Sequence, residues 1–567
     1  MSQSYVYEQL PLLLPEREAV SQEERHGVVY TKPWVVEAIL DLAGYTLKTN
    51  LVDTLTVEPA AGDGAFVLPI VARLIASCRQ QNRPYADCTS SLLTYELDEM
   101  SAAKMKRILL ELLISLNVPH TDASKLVESW VHVGDYLLDR SKLPQADFVL
   151  GNPPYIRLEE LNEITAKKYR ALYRTMIGRA DIYIAFFEAA LHQLKAGGVC
   201  AFICADRWML NQYGAELRNL ITLGFSVETI IEMHQAGAFE NDVDAYPAIT
   251  VIRRTKQSGL VVARAEQEVE NASKVSIAQA IEQVRETGIS QTSLPGLRAG
   301  KIKSWFRGTE PWPRISPEQL EVLRYLESEF FPLESEGTGT KVSIGVATGA
   351  DEIFITRDSS LVEEARLLPL AMASDTIDGH LQWSGHYLIN PWNDQGLVNL
   401  EKYPRLKVYL EEHKKRLLDR HIGKKNAQAW YRTIDRVNGP LIKQPKLYIP
   451  DIKNFLNPVL DRGETYPHHN LYVVYSSQWD IEVLGGLLLT DLAQFFVECY
   501  GVRMRGGYLR FQAQYLRRIR VPRSQDISTA DAALLSDAFR RHDRSQATAV
   551  ALKIYKLSHL PLRENYD

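Results

Sequence analysis

A chain of 567 residues is too long for one compact core, so two or three domains are expected. Apolar residues make up 46 % and charged residues 24 %, an ordinary globular composition, and no 18-residue uncharged apolar run is present, which excludes a membrane-spanning helix. The formal net charge of −5 argues against a uniformly basic nucleic-acid binder, but residues 401–523 hold 22 Lys plus Arg against 12 Asp plus Glu, a local +10 that leaves −15 for the remainder.

The early residues Glu8, Glu16 and Glu18 are unlike the basic start of a secretory signal. The five cysteines (Cys78, Cys88, Cys200, Cys204, Cys499) show no paired metal-ligand spacing, so no metal is expected and a reduced, cytoplasmic setting fits.

In the first half, apolar runs that end in turn or polar signals predict strands at Thr54–Val57, Ser91–Tyr95, Trp130–Val133, Phe148–Leu150, Val199–Cys204, Val227–Ile231 and Ala248–Ile252. Helical patterns fall between most of them, as at Ala65–Arg79, Met100–Leu116 and Ile182–Leu194. Strands alternating with helices predict an α/β fold with a parallel, doubly wound sheet, and ligands bind at the carboxyl ends of such strands. Residues 1–255 are read as this domain, residues 256–340, with Lys256-Gln257-Ser258-Gly259 and Gly337-Thr338-Gly339-Thr340, as a connecting segment, and residues 341–567 as a mixed α+β domain.

Ligand-type residues cluster where the strands end. Glu58-Pro59-Ala60-Ala61-Gly62-Asp63-Gly64 forms a turn whose glycines allow close backbone approach to a ligand, although the full GxGxxG fingerprint is absent. The next strand ends at Glu96, where an acid can bind ribose hydroxyls, and the third at Gly134-Asp135-Tyr136. The fourth runs into Asn152-Pro153-Pro154-Tyr155. There two prolines forbid further ladder hydrogen bonds and leave the Asn152 amide and Pro153 carbonyl as acceptors beside a ring. That set suits a planar group carrying an exocyclic amine, such as a nucleobase.

The succession Glu58-Pro59-Ala60 to Gly64, Glu96, Asp135 and Asn152-Pro153-Pro154-Tyr155, preceded by Gly27-Val28-Val29-Tyr30-Thr31-Lys32-Pro33, resembles the gamma-class N6-adenine DNA methyltransferases of the TaqI type. The resemblance covers nearly the whole chain. It implies a Rossmann-like sheet that binds S-adenosylmethionine and releases S-adenosylhomocysteine without a metal. The cofactor would be bound by Thr31, Glu58, Pro59, Ala60, Gly62, Gly64, Glu96, Asp135, Tyr136 and Asn152, with Thr31 and the backbone around Ala60 to Gly62 at its methionine part, Glu96 at the ribose, and Asp135 with Tyr136 at the adenine. Asn152, Pro153, Tyr155 and Phe239 would be catalytic: Asn152 and Pro153 as acceptors for the target amine, Tyr155 and Phe239 against the flipped base. Asp181, in Arg179-Ala180-Asp181-Ile182-Tyr183, matches an acid-helix segment read as structural, lining the cofactor pocket. Methylation at cytosine carbon 5 needs a cysteine nucleophile, usually after proline, and none of the five follows one.

In the second half, Lys341 to Phe354 resembles the start of the family's target-recognition domain. Gly501 to Arg523 carries seven arginines and no acid. Arg503, Arg505, Arg510, Arg517, Arg518 and Arg520 are therefore the expected contacts to double-stranded DNA. The resemblance also implies the modification part of a restriction system, located in the cytoplasm of a bacterium or archaeon, with a separately encoded nuclease as partner. Methylation of protein glutamine or of ribosomal RNA guanine is the alternative, since those enzymes share Asn-Pro-Pro-Tyr.

Overall fold

The computed structural model describes residues 30–561, apart from 141–142, 241–245, 268, 270–275, 289–293, 303–304, 314 and 502–507. The apolar runs of the first half form one nine-stranded sheet. Its strands are β1 (Thr56–Glu58), β2 (Leu92–Glu96), β3 (Val131–Val133), β4 (Ala146–Gly151), β5 (Leu194–Ala205), β6 (Ser226–Glu232), β7 (Pro247–Arg253), β8 (Leu260–Ala265) and β9 (Leu297–Ile302). The order is β3-β2-β1-β4-β5-β7-β6-β8-β9. All seven strands read from the sequence are present.

Strands β1 to β5 pair in parallel, and their inward residues, such as Val57, Val149 and Leu150, are fully buried, as strands covered on both faces require. Helices α1 (Pro33–Ala43), α2 (Val67–Gln80) and α3 (Glu99–Ser115) contribute Val35, Ile39, Ile70, Leu74, Met105 and Leu109 to the same core. The chain runs outward from β1 to β3, then returns to the other side of β1 as β4. The order thus reverses between β1 and β4, where an open α/β sheet places its ligand crevice.

The expectation of an all-parallel sheet is corrected at two places. β7 lies antiparallel between β5 and β6, and β9 is antiparallel to β8; an antiparallel neighbour needs no helical crossover. The expectation that 256–340 only connects is also corrected. The polar residues 256–259 merely turn the chain from β7 into β8. β8, β9 and helix α6 (Ile277–Thr287), which buries Ile277, Ala280, Ile281 and Val284, extend the first unit. That unit closes at residue 317 and a second spans 318–567.

The second unit contains an antiparallel sheet of Thr340–Ile344, Leu471–Ser476, Lys446–Pro450 and Val459–Asp461, in that spatial order. A smaller four-stranded sheet and several helices, among them Ile481–Leu489, Asp491–Tyr500, Thr529–Arg540 and Arg544–Ile554, complete it. Among the described residues, no single helix is long and apolar enough to cross a membrane.

Candidate active site

The carboxyl ends of β1, β2 and β4, with the turn after β3, surround a cavity of about 620 Å³, within the usual size range of a small-molecule site. Each of the four strand-end signals reaches it: Glu58, Glu96, Asp135 and Asn152 all line the wall, as do Thr31, Pro59, Ala60, Gly62, Tyr136 and Pro153. Gly64 does not line it. It lies behind, where an added Cβ would touch Met105 and Leu68. Gly62 and Gly64 take φ values of +54° and +91°, left-handed backbone that a side chain would strain.

The fourth strand end is fixed from three sides. Asn152 Nδ2 donates to Thr31 Oγ1 at 3.1 Å, which turns the opposite, oxygen edge of the amide away from Thr31. Thr31 is itself paired with Phe239 in an isolated bridge, flanked by Lys32 N to Ala238 O at 3.0 Å and Glu240 N to Tyr30 O at 3.0 Å. The Phe239 ring thereby meets the Tyr155 ring edge-on, centroids 6.3 Å apart, and Tyr183 flanks Tyr155 at 6.2 Å. The Tyr155 hydroxyl is buried with no hydrogen-bond partner among the described residues, and burial pushes its pKa well up. Beyond Tyr155, Ile182 N to Ile156 O at 2.9 Å and Leu158 N to Ala180 O at 3.1 Å tie the outgoing chain to the start of helix α5 (Tyr183–Gln193). Asp181 belongs to this tie through its bridge to Arg157 and accepts from Tyr213 Oη at 3.3 Å; Ile182, its neighbour, is the residue that lines the cavity.

The acids differ in environment. Glu58 is 1 % exposed; its Oε1 accepts from Ala60 N at 3.3 Å, while Oε2 is buried without a hydrogen-bond partner among the described residues. Burial holds its carboxyl well above the usual range, the Ala60 N–H opposing and the Glu96 charge adding. Gly151 closes in so tightly that a Cβ there would stand 2.3 Å from Glu58 Oε1. Glu96 accepts from Gly62 N at 2.7 Å and Asp98 N at 2.9 Å, so it shapes the glycine turn as well as facing the cavity. Asp135 Oδ1 accepts from Leu137 N at 2.9 Å and Leu138 N at 3.3 Å. Tyr136 stacks on Phe186, centroids 5.7 Å apart, and donates to Gln193 Oε1 at 2.7 Å.

Several cavity residues were missed by the sequence reading, among them Leu161, Tyr169 and Phe186. Helix α4 (Glu163–Leu172) brings Tyr169 to the cavity wall, where its hydroxyl donates to Asp135 Oδ2 at 2.8 Å. Nothing in the sequence near Tyr169 marks it, because its partner lies 34 positions away. None of the five cysteines lines the cavity; all are free thiols and buried.

The arginines of the second unit are largely engaged within the unit. Arg518 donates to Glu327 Oε1 at 3.1 Å and Tyr500 Oη at 3.2 Å, with its guanidinium 4.3 Å from the Tyr500 ring centroid. Arg520 is 16 % exposed and 4.0 Å from the same Glu327 oxygen. Arg517 pairs with Glu334 at 3.3 Å and donates to Val342 O at 2.9 Å. Arg510, half exposed, pairs with Asp451 at 3.1 Å. Arg503 and Arg505 lie outside the described residues. These four thus supply internal ties, and among them Arg510 and Arg517 keep the most exposed side chains.

Residues 97–239 match the model of the Eco57I restriction-modification methylase family. Over 544 residues the chain is 41 % identical to the Type II methyltransferase M.PaeR7I of Pseudomonas aeruginosa, covering 94 % of this chain and 92 % of that protein. It is 38 % identical to the Type II methyltransferase M.BstVI of Geobacillus stearothermophilus over 546 residues, 94 % of this chain and 96 % of the relative. Among solved structures, the Type IIL restriction-modification enzyme MmeI in complex with DNA has a similar fold, with a TM-score of 0.51 at 12 % identity, covering 98 % of this chain and 74 % of that one. At such identities over nearly the full length, the chain belongs to the Type II DNA methyltransferases, the modification enzymes of restriction-modification systems.

Proposed function

We propose that this enzyme transfers a methyl group from S-adenosylmethionine to the exocyclic N6 of an adenine flipped out of duplex DNA. The observation that carries the reading is the Asn152 amide at the end of β4, on the wall of a nucleotide-sized cavity, bonded to Thr31 and followed by Tyr155, whose ring meets that of Phe239. The donor set fits the cofactor. Glu58 Oε2, buried without a partner among the described residues, suits the methionine ammonium, Glu96 the ribose hydroxyls and Asp135 the adenine amine, with the Pro59 to Gly62 backbone along the methionine arm. When bound, S-adenosylmethionine supplies an electrophilic methyl group on a positively charged sulfur.

The chain's own residues then have a narrow task. An adenine amine is a poor nucleophile because its lone pair is delocalised into the ring. Asn152 Oδ1 and the Pro153 carbonyl accept its two hydrogens, which draws the nitrogen toward tetrahedral geometry and aims its lone pair at the cavity. Neither acceptor is a strong base, so catalysis rests on positioning and on dipoles fixed in advance. Tyr155 and Phe239 hold the base, stacking offsetting the unstacking cost by about 1–3 kcal/mol per base. Cytosine carbon-5 chemistry lacks its nucleophile here, since no cysteine reaches the cavity.

We assign catalysis to the first unit and target recognition to residues 341–567, with a separately encoded endonuclease of the same target as partner. Long-read sequencing of genomic DNA that distinguishes N6-methyladenine from N4-methylcytosine, with and without the expressed enzyme, tests base, position and target together. N6-methyladenine at one recurring sequence is the expected result. Methylated cytosine, or no sequence dependence, overturns the assignment.

A further inference from the structure

Helix α4 follows the Asn-Pro-Pro-Tyr stretch and lies against the cavity in an unusual way. A helix held by packing buries a stripe of side chains, yet only Tyr169 of its ten residues is buried. Ile164 and Leu172 remain 70 % and 45 % exposed. Just past its end Tyr173 is buried and donates to Leu137 O at 2.6 Å; within the helix the buried contact is Tyr169, whose hydroxyl donates to Asp135 Oδ2 at 2.8 Å. Leu161, just ahead of the helix, lines the same cavity. Burial, with the Asp135 carboxylate beside it, pushes the Tyr169 phenol well up, so it stays protonated and donates.

The arrangement fixes the Asp135 carboxylate completely. Oδ1 is taken by the Leu137 and Leu138 amides, and Tyr169 occupies one acceptor position of Oδ2. A carboxylate oxygen has two lone pairs, so one position on Oδ2 remains, and its direction is set by Tyr169. We propose that Tyr169 is a positioning residue for cofactor recognition: it orients Asp135 so that the remaining Oδ2 lone pair accepts the exocyclic amine of the cofactor's adenine, and it seats α4 beside that end of the cavity. The proposal rests on the reading of the cavity as an S-adenosylmethionine site. It assigns to Tyr169 the discrimination between an adenine and a ring bearing a carbonyl at that position, and it couples cofactor binding to the order of α4.

The test uses the full chain and two ligands, S-adenosylhomocysteine and its deaminated counterpart S-inosylhomocysteine, measured by calorimetry on wild type and Tyr169→Phe. Phenylalanine keeps the ring and removes only the hydroxyl. Wild type is expected to prefer the amine-bearing ligand by about 10-fold or more, the usual worth of a hydrogen bond to a charged group, and Tyr169→Phe to reduce that preference to about threefold or less. A variant that keeps the full preference overturns the positioning role alone. A wild type that binds neither ligand overturns the cofactor reading and this proposal with it. Hydrogen exchange on the wild type decides the coupling independently of how the variant folds: S-adenosylhomocysteine is expected to slow exchange across residues 163–172, and unchanged exchange there overturns it.

Discussion

Asn152 Nδ2 and Thr31 Oγ1 stand 3.1 Å apart, joining residues 121 positions distant in the chain. The Asn152 amide is thereby tied to a side chain from the leading segment. Thr31→Val keeps the shape and removes the acceptor, so the amide loses this tether. Single-turnover methyl transfer is expected to fall about 5- to 10-fold, the worth of one ordinary hydrogen bond, with Thr31→Ser close to wild type. Asn152→Ala, which removes the acceptor itself, is expected to lower the rate by 100-fold or more, about the loss seen when one preorganised polar group is deleted, while S-adenosylhomocysteine still binds. A normal rate in Asn152→Ala sinks the mechanism.

Glu58 is held at a cost to the fold. Its folded pKa is raised by burial, so its contribution to stability is full below the ordinary carboxylate pKa of about 4.3 and is lost as pH rises toward the folded value. Glu58→Gln removes that dependence. Melting curves without cofactor should coincide for the two proteins near pH 4 and diverge in favour of the glutamine variant toward pH 8, by about 2–4 °C per kcal/mol relieved. The same variant should bind S-adenosylhomocysteine more weakly. A melting difference that ignores pH, or unchanged ligand affinity, contradicts the role.

His234, just past the end of β6, donates to Asp206 Oδ2 at 2.7 Å and lies 3.1 Å from Glu232 Oε1. Tyr246 packs on its ring and Arg264 pairs with Glu232. Burial pulls its pKa down, but the Asp206 and Glu232 carboxylates together outweigh this and leave it raised. A raised histidine stabilises fully below its unfolded pKa of about 6.5 and loses that contribution as pH climbs through the folded value. The Tm advantage of wild type over His234→Gln should therefore shrink from pH 6 to pH 9. An advantage that is flat across this range excludes the carboxylates as the source.

The engaged arginines make a contrasting pair. Arg518→Gln removes one partner of Glu327, which is only 10 % exposed and keeps Tyr500 Oη at 2.6 Å and Arg324 at 3.4 Å, and is expected to destabilise the chain by about 1 kcal/mol with little change in the salt dependence of DNA binding. Arg510→Gln, at an exposed position, is expected to leave Tm nearly unchanged and reduce the slope of log K against log salt by about one. The reverse pattern would move the DNA contact to Arg518.

What was legible in the sequence was local. Glu58, Glu96, Asp135 and Asn152 announced themselves because a strand that stops at an acid, a glycine or a proline pair writes its ending into adjacent residues, and all four line one cavity. Strand direction is not written that way: the apolar pattern of β7 is the same whether it runs parallel or antiparallel, so the reversal at β5 and β6 was invisible. The strands β8 and β9 were hidden by the polar turn before them. The partners of Tyr169 and Arg518 lie 34 and 191 positions away, and no window on the sequence pairs such residues.

The bridge between Thr31 and Phe239 also sets an order of assembly. It joins the two margins of the sheet's first six strands in the chain, so the surroundings of Asn152 and Tyr155 close only after the intervening elements have found their places, and closing so long a loop is slow relative to local structure. During synthesis the leading segment must wait for residues 238–240 to emerge before it can dock. Core burial therefore precedes competence: a chain arrested before Phe239 has its central strands but no finished site, and recovery of methyl transfer after refolding should lag behind recovery of secondary structure.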